Sequence, residues 1–412
     1  MAPDRPDAPA IAHLLRRTGF GPAPGEVESY GSFDEALESV LAGATDDRAE
    51  MPDPVDDDTD AAVVWWLRRL RRSPNPLHDK LVLFWHGHLT SSADKASADM
   101  MARQHNLLRR HATGNVRELL HAIVRDAAML IFLDGAGSQA DAPNENLARE
   151  FMELFALGRG NYTEADVRAG ARALAGFTVD WESEAVGFDE EAAARGRLTV
   201  LGVTDSFDAD RFVDVVCEQP ACAAFIATKL HRFLAGSDPS EARRDELAAV
   251  LRDHDFTVMP LVEAILRHDE FAANRLNRPR FPIEWFLAAH HAMGTDVDAD
   301  SIWTLADMGQ MPLYPPNVAG WPVGPQWIGT GRQLLKTSLA IDAASGESSI
   351  FVDFGESPAE RATGALRHCG LFEASVATTS ALEAAARQVA SVDGGDLLLL
   401  ALTLASPEAA CA

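Results

Sequence analysis

The sequence predicts a mainly α protein: one large, irregular helical domain over residues 1–412, with at most one small β-hairpin and a Pro/Trp-rich loop near residues 309–331. Three observations carry that expectation. Apolar residues recur at helical spacing in most segments that show any period. Period-two alternation, the mark of a half-buried strand, is scarce. The stretch "GQMPLYPPNVAGWPVGPQWIGTG" holds too much Pro and Gly to be helical. At 412 residues the chain can bury a large core, and 47% hydrophobic with 24% charged residues is ordinary globular composition. Length alone suggests two or three domains, but no stretch has the composition of a flexible linker.

Taken in order, "MAPDRPDAPAIAHLLRRTGF" has no apolar segment long enough for a secretory signal. Arg16-Arg17 is followed by "TGFGPAPGEVESYG", which cannot supply the apolar core of a twin-arginine signal. The acidic run "DPVDDDTD" (53–60) reads as a loop or helix entry. Asn75 and Pro76 open a helix on which Leu77, Leu81, Phe84, Trp85 and His88 form one apolar stripe. "NVRELLHAIVRDAAMLIFL", "ADRFVDVVCEQPACAAFIATKLHRFLAG", "MPLVEAILRHDEFA", "PIEWFLAAHHAMG" and "DLLLLALTLAS" are further helical segments. "GFTVDW" and "RLTVLGV" are the strand candidates and could pair as one hairpin, with "VGFDEEAAARGR" as the loop between them.

Residues 143–167, "PNENLAREFMELFALGRGNYTEADV", read as helix, short turn, helix. Asn144 is a plausible N-cap and Gly158 a C-cap, while Thr163 and Asp166 resemble a capping box for the second helix. Leu147, Ala148, Phe151, Met152, Leu154 and Phe155 share one face. Glu145, Arg149 and Glu153 lie opposite at i, i+4, i+8, with Asn146 and Glu150 beside them. Such a stripe is usually solvated surface, each pair contributing about 0.2–0.5 kcal/mol. It becomes a site only if another element covers it.

The charge balance is acidic, 36 Lys+Arg against 62 Asp+Glu for a formal net charge of −26, which disfavours nucleic acid and anionic membrane surfaces as partners. The longest apolar run, "LLLLALTLA", is about half a membrane span. A soluble cytoplasmic protein is expected. The four cysteines, Cys217, Cys222, Cys369 and Cys411, form neither a zinc set nor a disulfide framework and read as reduced, small apolar residues.

Several long pieces resemble one bacterial family, that catalogued as domain of unknown function eighteen-hundred. They include "AHLLRRTGFGP", "FWHGHLTSSADK", "NENLARE…ELFALG…NYTEADV", "AFIATKLHRFL" and "PPNVAGWPVGPQWI". The resemblance implies a mainly helical protein, often encoded beside a partner family, with no activity to carry over. The family motif runs along the polar side of the 145–157 helix, through Asn144, Glu145, Asn146, Arg149, Glu150 and Glu153. Many relatives also carry a His-Asp followed by Gly and Lys, where this chain has "FDEEAAARGRLTVLG" with neither the histidine nor the lysine.

Among other polar residues, His86 and His88 point about 200° apart on a helix and cannot share an ion there. His88 continues the apolar stripe and reads as a buried core histidine, with general base or ligand as the minority reading. His105, His111 and His121 read as surface or capping residues, and His290-His291 as helix C-terminal cations favoured by the dipole. The Pro/Trp-rich loop reads as a rigid plug; as a pocket wall it would offer Trp321 and Trp327, with Asn317 and Gln326 pointing inward. No phosphate-binding loop, HExxH, nucleophile elbow or EF-hand is present.

Two functions follow. A non-catalytic accessory protein, binding a protein partner encoded nearby, is slightly favoured. The alternative is an enzyme or a small-ligand or metal-binding protein, with cofactor and metal unknown. Its pocket would join the Asn144–Glu153 helix, the Trp85–His88 turn and the Pro315–Trp327 loop. Glu150 or Glu153 would then be general base or ligand, Arg149 the orienting group and His88 a second base, with Asn144, Glu145, Asn146, Asn317, Trp321 and Trp327 binding.

Overall fold

Short polar residues start the helices. The side chains of Asp58, Ser97, Asn115, Asp126, Thr163, Asp208, Ser240, Ser357 and Ser375 each accept a backbone N–H from the first turn that follows. A computed structural model describes residues 6–43, 49–54, 57–345, 350 and 352–412. Val55 and Asp56 of the acidic run fall outside them. The chain is mainly α: helices run from Ala8–Thr18 to Gly395–Leu404, beside two antiparallel two-stranded sheets. No helix among the described residues is long and apolar enough to cross a membrane.

Punctuation divides two of the expected long helices. Asp126 caps Ala127–Phe132 and so separates it from Val116–Ile123. Pro220, which cannot donate to the preceding turn, splits Ala209–Glu218 from Pro220–Ala235. The strand expectation is corrected as well. β1 (Phe177–Val179) pairs with β2 (Val186–Phe188), which is the start of the supposed loop. β3 (Leu198–Val200) folds back onto β4 (Val203–Asp205). The turn between β3 and β4 uses Leu201 and Gly202, both at positive φ, with the Leu201 N–H fixed on the Asp166 carboxylate at 2.6 Å. A Leu-Gly pair is not the usual signal for such a turn, and its anchor lies 35 residues upstream.

The main core gathers buried side chains from Ile11 to Trp327. Helix Pro282–Met293 is buried on most of its sides. It gives Ile283, Phe286 and Leu287 to this core and Trp285, Ala292 and Met293 to a second one shared with Met308, Ala340 and Leu400. A third cluster, around Ala362, Leu382 and Leu399, joins the last three helices. Arg16 and Arg17 lie inside: Arg16 donates to the Gly370 carbonyl, and Arg17 to the Phe233 and Leu234 carbonyls at the end of helix Pro220–Ala235. Both arginines therefore act as buried caps.

Candidate functional site

The 145–157 segment is not one α-helix. Asn146–Glu150 is α-helical and Phe151–Ala156 forms a π-helical turn, which moves Glu153 off the row of Glu145 and Arg149. Arg149 bonds Glu145 at 2.9 Å and Glu164 at 2.7 and 2.8 Å. Glu153 accepts from Arg159 at 2.6 Å and from the Tyr162 hydroxyl. Those two bonds hold its carboxyl below the usual range, while burial and Glu153 push the Tyr162 phenol up to about 12. Asn144 is exposed and accepts from the Asn146 N–H at 2.9 Å, and the Asn146 amide reaches Asp134 at 3.5 Å. Glu150 is half-buried, its carboxyl raised by burial and then by Glu153. Glu145, Arg149 and Glu153 are thus tied up within their own helical hairpin, and exposed pairs of this kind contribute at most about 1 kcal/mol each.

His88 and Trp321 meet elsewhere. Helix Pro76–His88 delivers Phe84, Gly87 and His88, helix Pro220–Ala235 delivers Lys229, Arg232 and Phe233, and the loop delivers Ala319, Trp321 and Val323. With Leu83, Phe281 and Gln310 they line a cavity of about 90 Å³, or about 630 Å³ with its solvent-open mouth. Asn144–Glu153 is not part of this lining. Aromatic rings follow one another along the wall: Phe84 to Phe233 at 5.2 Å, Phe233 to Phe281 at 6.0 Å, Phe84 stacked on His88 at 5.6 Å.

Local chemistry fixes each part. Burial, then Lys229, pulls the His88 imidazole down to about 3, so it is neutral, and Nε2 donates to the Phe155 carbonyl at 2.9 Å. That carbonyl lies in the last turn of the π segment, where helix oxygens lack their own partners. Burial likewise takes His86 to about 3. Its Nε2 accepts the Leu313 N–H at 3.2 Å and its ring lies 5.3 Å from Trp321, which pins the Pro/Trp-rich loop to the helix. At Gly320, φ is +76° and an added Cβ would fall 2.2 Å from the Gly87 carbonyl oxygen, so only glycine lets the loop close on this helix. Trp327 is 3% exposed, its indole donates to the Pro322 carbonyl at 2.7 Å, and it backs Phe281. Asn317 and Gln326, expected to point inward, are both exposed, and Asn317 serves its own turn by accepting from Ala319.

Other histidines depart from expectation. His105 is not at the surface; it is 1% exposed, packed on Trp66 at 4.4 Å, and burial then Arg109 lower its pKa well below normal. His290 is taken to about 4 by burial and then Arg71, and His291 is lowered by burial, so neither is the helix-end cation the dipole argument expected. His290 instead bonds the Thr295 hydroxyl and His291 the Arg71 carbonyl. Among the described residues no group of three His, Cys, Asp or Glu is placed to hold a metal.

Lys229, Phe233, Phe281 and Gln310 escaped the sequence reading. One signal was present: Phe225, Lys229 and Phe233 stand at i, i+4, i+8, a lysine inside an aromatic row. The Lys229 ammonium lies over the Phe225 ring at 5.2 Å and makes no hydrogen bond or ion pair among the described residues. Arg232, by contrast, is held bidentately by Asp238.

Fold and cavity define a mainly helical protein with an aromatic-walled cleft beside a Pro/Trp-rich loop. Residues 13–411 match the family model described as protein of unknown function (DUF1800), and the chain belongs to that family. Neither the comparison with curated proteins nor that with solved structures returned a match.

Proposed function

We propose that this protein binds a small molecule with a flat apolar body in the cleft between helix Pro76–His88, helix Pro220–Ala235 and the Pro/Trp-rich loop. One observation carries the reading: Phe84, Phe233, Phe281 and Trp321 wall a space that also holds the half-buried, unpaired Lys229. Concave, mostly aromatic sites with few polar groups are the usual form of small-ligand pockets. The proposed centre keeps His88 and Trp321 from the earlier set and drops the acidic helix. Ligand-observed NMR on the full chain with indole, toluene and benzyl alcohol tests it. Saturable binding is expected, reduced at least tenfold in Gly87→Leu, which fills the cleft from a helical position where an added Cβ makes only ordinary contact with Trp321 at 3.8 Å. No saturable binding, or equal binding to a folded Gly87→Leu protein, overturns the proposal.

A second reading, docking of a protein partner, draws support from the β1–β2 hairpin. Phe177 and Val179 on β1 are buried, but their cross-strand neighbours Phe188 and Val186 are 53% and 38% exposed, and Trp181 at the tip is 75% exposed. The internal pairing of the acidic helix fits this reading too. Replacing Trp181 and Phe188 by serine is expected to abolish co-purification with a protein encoded beside this one. Undiminished co-purification removes the reading.

A further inference from the structure

Opposite charges are unevenly placed around the cleft. The chain carries 62 Asp+Glu against 36 Lys+Arg, yet among the described residues the cavity lining contains Lys229 and Arg232 and no carboxylate. The Arg232 guanidinium is already neutralised by both oxygens of Asp238, with Nη2 at 2.8 Å from Oδ2. Lys229 lies over the face of Phe225, a contact that contributes about 0.5–2 kcal/mol, and feels Asp238 without bonding it, so among the described residues the ammonium's donors are unused. Two further donors in the lining lack acceptors among the described residues. The Trp321 indole N–H is buried and unbonded. The Gln310 side chain is turned by the Ile283 N–H, which its oxygen accepts at 3.1 Å, so its amide nitrogen is left over. Burial has also made His88 neutral, so it adds no second cation. Donors without acceptors in a half-dry cleft favour a ligand that brings acceptors and negative charge, since charge-assisted bonds there are the strongest available.

We infer that the cleft selects a small carboxylate, whose flat apolar body lies among Phe84, Phe233, Phe281 and Trp321 and whose charge pairs with Lys229. The inference rests on the proposed small-ligand reading and adds the chemical class. Nothing is transformed in this step; the carboxylate replaces the water around the ammonium, and the rings replace the water around the ligand body.

Isothermal titration calorimetry at pH 7 with benzoate and its uncharged counterpart benzamide separates the two claims. Benzoate is expected to bind at least tenfold more tightly than benzamide to the native chain. In Lys229→Met that preference is expected to vanish with benzamide affinity unchanged, and in Lys229→Arg it is expected to persist. Equal affinities for the two probes in the native chain leave the cleft as a ligand site and overturn the carboxylate inference. A preference that survives Lys229→Met overturns the role of Lys229. Absence of binding by either probe, in a chain whose melting is normal, overturns both.

Discussion

Acidification from pH 7 to pH 5 is expected to remove about 5–8 kcal/mol of unfolding free energy, comparable with the whole stability of an ordinary domain. His13, His86, His88 and His105 are each at most 8% exposed. Burial is the first cause of lowering in all four, taking His13 to about 2 and His86 and His88 to about 3, with Arg17 and Arg16 adding to the effect at His13. The unfolded chain binds these protons near pH 6.5, the folded one far lower. Stability supplied by the neutral rings is therefore present above about pH 6.5 and lost as pH falls toward the folded values, at about 2 kcal/mol for each of His13, His86 and His88 by pH 5, with His105 acting in the same direction. Asp126 works in the opposite direction. Burial raises its carboxyl to about 6 despite bonds from the Met129 N–H and Gln104, so the fold regains about 1 kcal/mol on the same descent. Four rings outweigh one carboxyl. Urea midpoints at pH 7, 6 and 5 measure the balance, and a flat profile contradicts it.

What could be read from the sequence follows the range of the forces involved. Helix existence is local: apolar spacing and polar caps sit within a few residues of each other, so the mainly α class and the Thr163 capping box are both present in the structure. Departures arise where a distant group decides. The π-helical turn at Phe151–Ala156 ends on His88, 67 residues from the carbonyl it bonds at Phe155. Arg16 and Arg17 gain their role only when carbonyls at 370, 233 and 234 arrive beside them. The cleft was half legible. His88 and Trp321 stood out by residue type, whereas Lys229 and Gln310 gain their character only from what surrounds them, an ammonium bonded to no carboxylate among the described residues and an amide turned by one N–H. The acidic helix drew attention because its motif is dense, but density of charge on an exposed face is satisfied by the nearest opposite charge.

Replacing Glu284 by alanine is expected to cost at least about 3–5 kcal/mol and to eliminate ligand binding in the cleft. Glu284 is 2% exposed and takes Arg278 on both oxygens at 2.8 Å, Lys80, and the Phe281 N–H at 2.9 Å. Burial alone would raise its carboxyl, but Arg278, Lys80 and Arg17 around it hold it well below the usual range. Without the carboxylate, Arg278 remains as a buried cation, and Lys80, already pulled down to about 7 by burial, loses the group that holds its proton and keeps only the Gly19 carbonyl at 2.8 Å. The helix Pro282–Met293 also loses the acceptor for the Phe281 N–H at its start. That start is where Phe281 enters the cleft wall, and Phe233, the next ring along, hangs from a carbonyl held by Arg17 in the same cluster. Stability and cleft geometry are therefore coupled through one carboxylate. Arg149→Ala, which breaks the exposed acid–base stripe, is expected to cost under about 1 kcal/mol and to leave binding intact. Unfolding free energies from urea titration of the two variants decide the matter: comparable costs would mean that the buried cluster is no more important than the surface one.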